Sequence, residues 1–421
     1  MFRFLHAADV HLDSPLIGLD RYESAPVGAA RGATRRALEN LVRVAIDEGV
    51  AFVLLAGDLY DGDWKDYRTG LFFIDQMTKL REAKIPVFIV AGNHDAASQL
   101  TKNLRPPDNV HFFPTKKPTT LLIEAFDVAI HGQGFASRAI SEDLAAAYPV
   151  ADLALFNIGL LHTSLDGREG HATYAPTSAR ILAQKGYQYW ALGHVHKREV
   201  VSKDPWIVFP GNLQGRHARE LGAKGCTLVT VENGAVVGVE ERHVDVLRWS
   251  ACHVDVDGSA TTGDILDRIS RALTVEADRA DGRGLAVRVD VTGSVTCHDE
   301  IAANPDHWMQ ETRALAIGVS SAEVWVEQVR FATKRPTNLA ELAGRDDALG
   351  SLLRELSIAA DRPEEGAALR EALTEIRGAL PPELLSGDDA VDPLSPDLLA
   401  RLVGEARELL LARITREGVM P

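Results

Sequence analysis

Cysteine is scarce. There are three in 421 residues (Cys226, Cys252 and Cys297), far apart and odd in number. That excludes a disulfide framework or a CxxC metal site and fits a reducing, cytoplasmic setting. No run of about 18 apolar residues occurs, so no membrane-spanning helix is expected. The start, Met1-Phe2-Arg3-Phe4-Leu5-His6, lacks a signal-peptide hydrophobic region and moves straight into a strand. Internal repeats and low-complexity tracts are missing. Positive charge is in deficit, with 45 Lys and Arg against 60 Asp and Glu, net −15. This argues against holding nucleic acid by bulk electrostatics, although divalent cations and a few arginines can supply charge locally. The deficit is uneven: Leu339 to Pro421 carries 17 acidic against 9 basic residues, net −8.

What is present is an ordinary globular composition, 46% hydrophobic and 25% charged. The length predicts two or three domains. Phe2–Ala7, Ala51–Ala56 and Ile85–Ala91 are apolar runs that predict buried strands. Helical spacing over Arg31–Glu48 and Thr69–Ala83 places a helix between each pair, so a mostly parallel sheet follows. Beyond residue 94 the pattern shortens. Strands are expected at 110–113, 121–123, 128–131, 152–161 and 187–192, and antiparallel strands at 206–209, 226–231 and 236–241. A helix is expected at 179–185. A second unit predicts strands at 251–256, 285–291 and 322–331 and helices at 262–274 and 298–308. Lys334-Arg335-Pro336-Thr337 marks a boundary. Leu339–Ile414 reads as two or three amphipathic helices split by prolines. The expected domains are therefore 1–245, 246–335 and 336–421.

Five short polar motifs sit at the ends of apolar runs: Asp9-Val10-His11, Gly57-Asp58, Gly92-Asn93-His94-Asp95, Leu161-His162-Thr163 and Gly193-His194-Val195-His196. Strand C-termini are where open α/β sheets place their ligands. Each motif alone is an ordinary turn, a cap or a solvated surface pair. Together they supply Asp9, His11, Asp58, Asn93, His162, His194 and His196, a mixed imidazole, amide and carboxylate set suited to two divalent ions. Asp58 can bridge, one oxygen to each ion. Such ligation suits Mn, Fe, Zn or Co better than Mg or Ca. Two ions held this way turn a bridging water into hydroxide near neutral pH and neutralise phosphate charge during in-line attack.

The ordered set resembles the calcineurin-like metallophosphoesterases over roughly residues 1–245. Phe4 to Pro15 and Pro210-Gly211-Asn212-Leu213-Gln214-Gly215-Arg216-His217 narrow the likeness to SbcD-like DNA repair exonucleases of the YhaO type. The resemblance implies a four-layer α/β/β/α sandwich, a small α+β capping domain and a C-terminal helical region. It implies one ion on Asp9, His11, Asp58 and His196, and a second on Asp58, Asn93, His162 and His194, with Mn2+ the first expectation. His94 would face the phosphate and protonate or orient the leaving oxygen, with Asp95 as its partner. Relatives carry a histidine where this chain has Asp61, which could orient His94 or simply cap a turn. The Arg216-His217 loop could hold phosphate or be an exposed basic loop. His6, His131 and His171 are expected to be structural or, for His6, to stand behind the metal ligands. Trp249, Trp308 and Trp325 are expected in the core of the cap.

The function expected is a metal-dependent DNA exonuclease in DNA repair, working with an SMC-like coiled-coil ATPase docked on the C-terminal helices. A phosphodiesterase for nucleotides or other small substrates and a non-catalytic scaffold subunit are the alternatives. A homodimer through the helical tail is also open.

Overall fold

The computed structural model describes residues 1–14, 16, 32–61, 67–97, 105–165, 174–319, 323–336, 344, 346, 350–351, 367–380, 392–395 and 398. The chain forms two compact units, Met1–Arg335 and Pro336–Pro421.

In the first unit the predicted alternation is present as β1 (Phe2–Ala7), α1 (Ala33–Asp47), β2 (Phe52–Ala56), α2 (Tyr67–Glu82), β3 (Val87–Val90) and β4 (Val110–Phe112). These four strands pair in parallel. β11 (Gly225–Glu232) and β12 (Ala235–His243) extend the sheet antiparallel on the β1 side. The second sheet joins β5 (Thr119–Ile123), β6 (Val128–Gly132), β7 (Phe156–His162), β8 (Tyr189–Gly193), β10 (Trp206–Phe209) and β9 (Glu199–Lys203), in that order. A short helix, α3 (Ala179–Gln184), precedes β8 and is capped by Ser178, which accepts from Ile181 N–H.

Packing makes the two sheets inner layers. Phe4, Phe52, Leu54, Phe88 and Val90 of the first sheet meet Ile130, Ile158, Leu160, Tyr189 and Val208 of the second in one buried cluster. Phe4 and Phe52 stack with ring centroids 4.9 Å apart. The other face of the first sheet buries Leu5, Val53, Leu55 and Ile89 against Leu38, Leu41 and Val42 of α1 and Met77 and Leu80 of α2. Trp190, Leu192 and Phe209 pack outward with Leu182 of α3 and Tyr148. This is the expected α/β/β/α sandwich. Strands buried on both faces explain why β2 and β3 carry no polar alternation.

A third sheet holds β13 (Leu247–Asp255), β14 (Gly284–Ser294) and β15 (Val324–Lys334), all parallel. α4 (Thr262–Arg279) lies between the first two strands in sequence, and α5 (His298–Ala303) and α6 (Pro305–Ile317) between the last two. Its own core runs through Val254, Ile265, Ile269, Leu273, Val287, Val289 and Trp308. Trp249 is buried with Leu16, Ala33, Leu247 and Ala286.

Several expectations are corrected. Residues 206–209 pair in parallel with β8, not only antiparallel to a neighbour. Residues 152–155 form a turn instead of a strand, since Asp152 Oδ1 accepts from Ala154 N–H. The single helix at 298–308 is two, because Pro305 cannot donate to a helix running through it. Of the C-terminal helices, α7 (Ala367–Ala379) is described, with Leu373 buried and Arg377 paired to Asp392 at 3.0 Å. Apart from residues 344, 346, 350–351, 380, 392–395 and 398, the rest of that region, like His171, lies outside the described residues. No helix among the described residues is long and apolar enough to cross a membrane.

Candidate metal centre

All seven predicted donors stand at strand ends on the facing edges of the two inner sheets. Asp9 and His11 follow β1, Asp58 follows β2 and Asn93 follows β3. His162 ends β7, and His194 and His196 follow β8. Asp9, His11, Asp58, Asn93, His162 and His194 are buried. Main-chain bonds knit the loops together: Asp9 N–H donates to Gly57 O at 3.1 Å and His11 N–H to Asp58 O at 3.0 Å. His94 N–H donates to Asp58 Oδ1 at 2.9 Å, and His194 N–H to Asp9 Oδ2 at 2.9 Å.

The local backbone is strained to achieve this. Asp9 (φ 50°), His11 (φ 43°), Asp58 (φ 50°) and His194 (φ 108°) all occupy the left-handed region. For non-glycine residues this costs on the order of 1–3 kcal/mol each and concentrates at functional sites. Two glycines permit the close approach of the sheets. A Cβ on Gly57 (φ 91°) would collide with the His162 ring, and one on Gly193 with Ala56 O.

The donor atoms converge. His162 Nε2 lies 2.9 Å from Asn93 Oδ1 and 3.4 Å from Asp58 Oδ2, and its Nδ1 is 2.9 Å from Ala56 O. That last contact fixes the ring with Nε2 aimed inward. His11 Nε2 stands 3.3 Å from His196 Nε2 and 4.0 Å from Asp58 Oδ2. His196 Nε2 is 3.9 Å from Asp9 Oδ1. Two groups, Asp9/His11/His196 and Asp9/Asp58/His162, each present three ligand atoms within 4.8 Å of one another. Asp9 Oδ1 and His11 Nδ1 are buried without a hydrogen-bond partner. A buried polar atom left unpaired costs roughly 1–3 kcal/mol, and converging imidazole and carboxylate donors are the chemistry of a transition-metal site. The residues present therefore fit the dinuclear divalent metal centre that calcineurin-like phosphoesterases use.

Electrostatics follow from the crowding. Burial pushes the Asp9 carboxyl upward. Burial acts the same way on Asp58, but His162, His11 and His94 prevail and hold it well below the usual carboxylate range.

The partner of His94 is not the one expected. Its Nδ1 pairs with Asp61 Oδ1 at 3.0 Å. That bond raises the His94 pKa, with burial acting against it. Asp95 is instead occupied by main chain: Oδ1 accepts from Leu59 N–H (2.9 Å) and Tyr60 N–H (3.1 Å), and Oδ2 from Gly92 N–H (3.0 Å). Its carboxylate thus ties the loop after β3 to the loop after β2 instead of reaching the adjacent His94 ring. Asp61 also accepts from Ser14 Oγ at 2.7 Å and lies 3.6 Å from Arg216 Nη1.

Arg216 is drawn into this edge, with 14% of its side chain exposed, so it is not a free surface residue. His217 is more exposed, 3.6 Å from Glu220. Glu220 is buried, 2.7 Å from His196 Nδ1. It escaped the sequence reading, and its one distinguishing mark there is being the lone acid inside Arg216-His217-Ala218-Arg219-Glu220. His6 does not stand behind the ligands: its nitrogens meet Tyr189 Oη (3.0 Å) and Leu192 O (3.1 Å). His131 bridges Thr120 and Asn157.

Comparison with known proteins agrees with this geometry. Residues 2–198 match the calcineurin-like phosphoesterase family, and residues 249–334 match the middle domain of metallophosphoesterase YhaO. The chain is 34% identical to the uncharacterized metallophosphoesterase YhaO of Bacillus subtilis over 360 residues, 84% of this chain and 86% of that one. It is 25% identical to the DNA double-strand break repair protein Mre11 of Sulfurisphaera tokodaii over 268 residues, 58% of this chain and 63% of that protein, under two thirds of its length. Among solved structures, a dimetal phosphatase from Danio rerio is similar over 55% of this chain and 93% of that one, at 13% identity and a TM-score of 0.34. A strained ring of buried donors on two facing sheets, continuous with a YhaO-type middle domain, thus belongs to a member of the calcineurin-like metallophosphoesterases of the YhaO type.

Proposed function

We propose that the chain is a metal-dependent exonuclease that hydrolyses phosphodiester bonds at DNA ends. The convergence of six donors, with the His194 ring 5.2 Å from that of His162, beside an Asp61-held imidazole supports the reading. The Mre11 relatives, named for DNA double-strand break repair, support DNA as substrate. Asp9, His11, Asp58 and His196 would hold one ion, and Asp58, Asn93, His162 and His194 the other, with Mn2+ tried first and Fe, Zn or Co compatible with the same donors. Bound there, divalent ions supply Lewis acidity and neutralise charge on the phosphate.

The chain's own groups do the remainder. Asp61 fixes the His94 ring through Nδ1 and leaves Nε2 to give a proton to the departing oxygen. Arg216 and His217 would meet non-bridging phosphate oxygens as charge develops. Residues 336–421 would dock an SMC-like coiled-coil ATPase, and co-purification of the full chain with a truncated one as control tests that separately.

The deciding experiment incubates purified protein with Mn2+ and end-labelled single- and double-stranded DNA, alongside Asn93→Ala and a small chromogenic phosphodiester. Loss of label by the natural chain but not by Asn93→Ala is expected. Cleavage of the small diester with DNA left intact would replace this reading by a small-substrate phosphodiesterase, which a net charge of −15 suits equally.

A further inference from the structure

We infer that Glu220 is a positioning residue of the metal centre: it fixes the ring and tautomer of His196, and the first strand of the third sheet holds the loop that carries it. The inference rests on the two-metal reading of the site and not on DNA as substrate.

An imidazole can offer a metal only the nitrogen that bears no proton. What the other nitrogen bonds to decides which one that is. His196 Nδ1 meets Glu220 Oε1 at 2.7 Å, while Nε2 faces Asp9 Oδ1 and His11 Nε2. A carboxylate can only accept, and its 2.7 Å contact is shorter than the 3.3 Å from Arg216 Nη2 to the same nitrogen, so the proton is assigned to Nδ1 and the Nε2 lone pair points to the donor cluster. Glu220 is itself held: Oε2 accepts from Asn212 Nδ2 (2.9 Å) and from Arg216 N–H (2.6 Å), and Arg216 Nη2 lies 3.5 Å from Oε1.

The loop hangs on β13. Gln214 Oε1 accepts from Val246 N–H (3.0 Å) and Leu247 N–H (3.3 Å), and its Nε2 donates to Leu247 O (2.6 Å). Trp249 Nε1 donates to Gly215 O at 3.1 Å, and Gly222 N–H to Trp249 O at 2.9 Å. The middle domain therefore reaches the metal centre through the Gln214 and Trp249 side chains and one main-chain bond, one residue removed from a ligand.

The test titrates the metal-free full-length chain with Mn2+ by calorimetry, for the natural chain, Glu220→Gln, His196→Ala and the double variant. Glu220→Gln is expected to weaken one of two sites by roughly 10–100-fold and spare the other. In the His196→Ala background it should add nothing, because the ring it acts on is gone. Natural affinity in Glu220→Gln, or an equal further loss in the His196→Ala background, overturns the inference while leaving the two-metal reading intact. A natural chain that binds no Mn2+ overturns both. Should Glu220→Gln fail to fold, 15N-histidine spectra of the Zn2+-loaded natural chain decide: a proton on His196 Nδ1 supports the inference and one on Nε2 overturns it.

Discussion

Two clusters of buried charge in the unit Met1–Arg335 are treated in opposite ways. Near the start of the third sheet, Asp245 lies between two cations, Arg248 Nε 3.0 Å from Oδ2 and Arg283 Nε 3.0 Å from Oδ1, and the Lys224 main-chain N–H donates to Oδ2 at 3.2 Å. At the metal centre, Asp9 and Asp58 face imidazoles instead, His196 Nε2 at 3.9 Å from Asp9 Oδ1 and His162 Nε2 at 3.4 Å from Asp58 Oδ2. The first cluster is closed by the protein itself. The second gathers carboxylate and imidazole donors on strained backbone, a set that suits divalent ions. Buried charge serves as a joint in one place and as a socket in the other.

The contrast breaks most sharply if the two clusters respond alike to mutation. Asp58→Ala should lower metal-dependent hydrolysis of any phosphodiester by about 10³-fold or more, the scale of losing a central electrostatic group, as read in kcat/KM. Arg248→Ala should do the reverse. It leaves Asp245 buried without its main partner and costs about 3 kcal/mol in denaturant unfolding, with kcat/KM for a small diester unchanged. Excess Mn2+, at about 100 times its Kd, should stabilise the natural chain by roughly 3 kcal/mol and leave Asp58→Ala near its metal-free value. In metal-free protein, Asp9→Asn should be neutral or stabilising by up to about 1 kcal/mol, because it removes a buried charge that desolvation disfavours. A clear loss of stability there would mean that His196 and His162 more than offset the cost of burying the Asp9 charge.

His6 supplies a third and gentler case: buried, fully hydrogen-bonded and neutral, with burial driving its pKa down to about 3. Its folded pKa lies below its unfolded value near 6.5, so the unfolded chain binds the extra proton first. Stability should therefore fall as pH drops through the window from about 6.5 to 3, by roughly 1 kcal/mol per pH unit, and be constant above it. His6→Gln should flatten that slope in urea titrations at successive pH values.

Much of this was legible in sequence because the physics is local. β2 and β3 are buried on both faces, which forces unbroken apolar runs, and each ends in a polar turn. What failed depended on distance. Asp95 neighbours His94 in the chain, yet Asp61 reaches the ring in space. Glu220 meets His196 across 24 residues with no periodicity to mark it. β9, with Glu199, Ser202 and Lys203 on an outer edge, carries too little apolar character to stand out. The apolar pattern marks where the sheets lie but says little about which side chains meet across their edges.

The donors come from both inner sheets: four from loops after β1, β2 and β3, and three from the ends of β7 and β8. Strands advance about 3.3 Å per residue, so a slip of one sheet against the other by a single residue would disperse the whole set. Ion occupancy therefore gauges alignment. A chain that loads both ions has its two halves in correct register, and one that is folded but mis-seated would be selected against by its own inactivity.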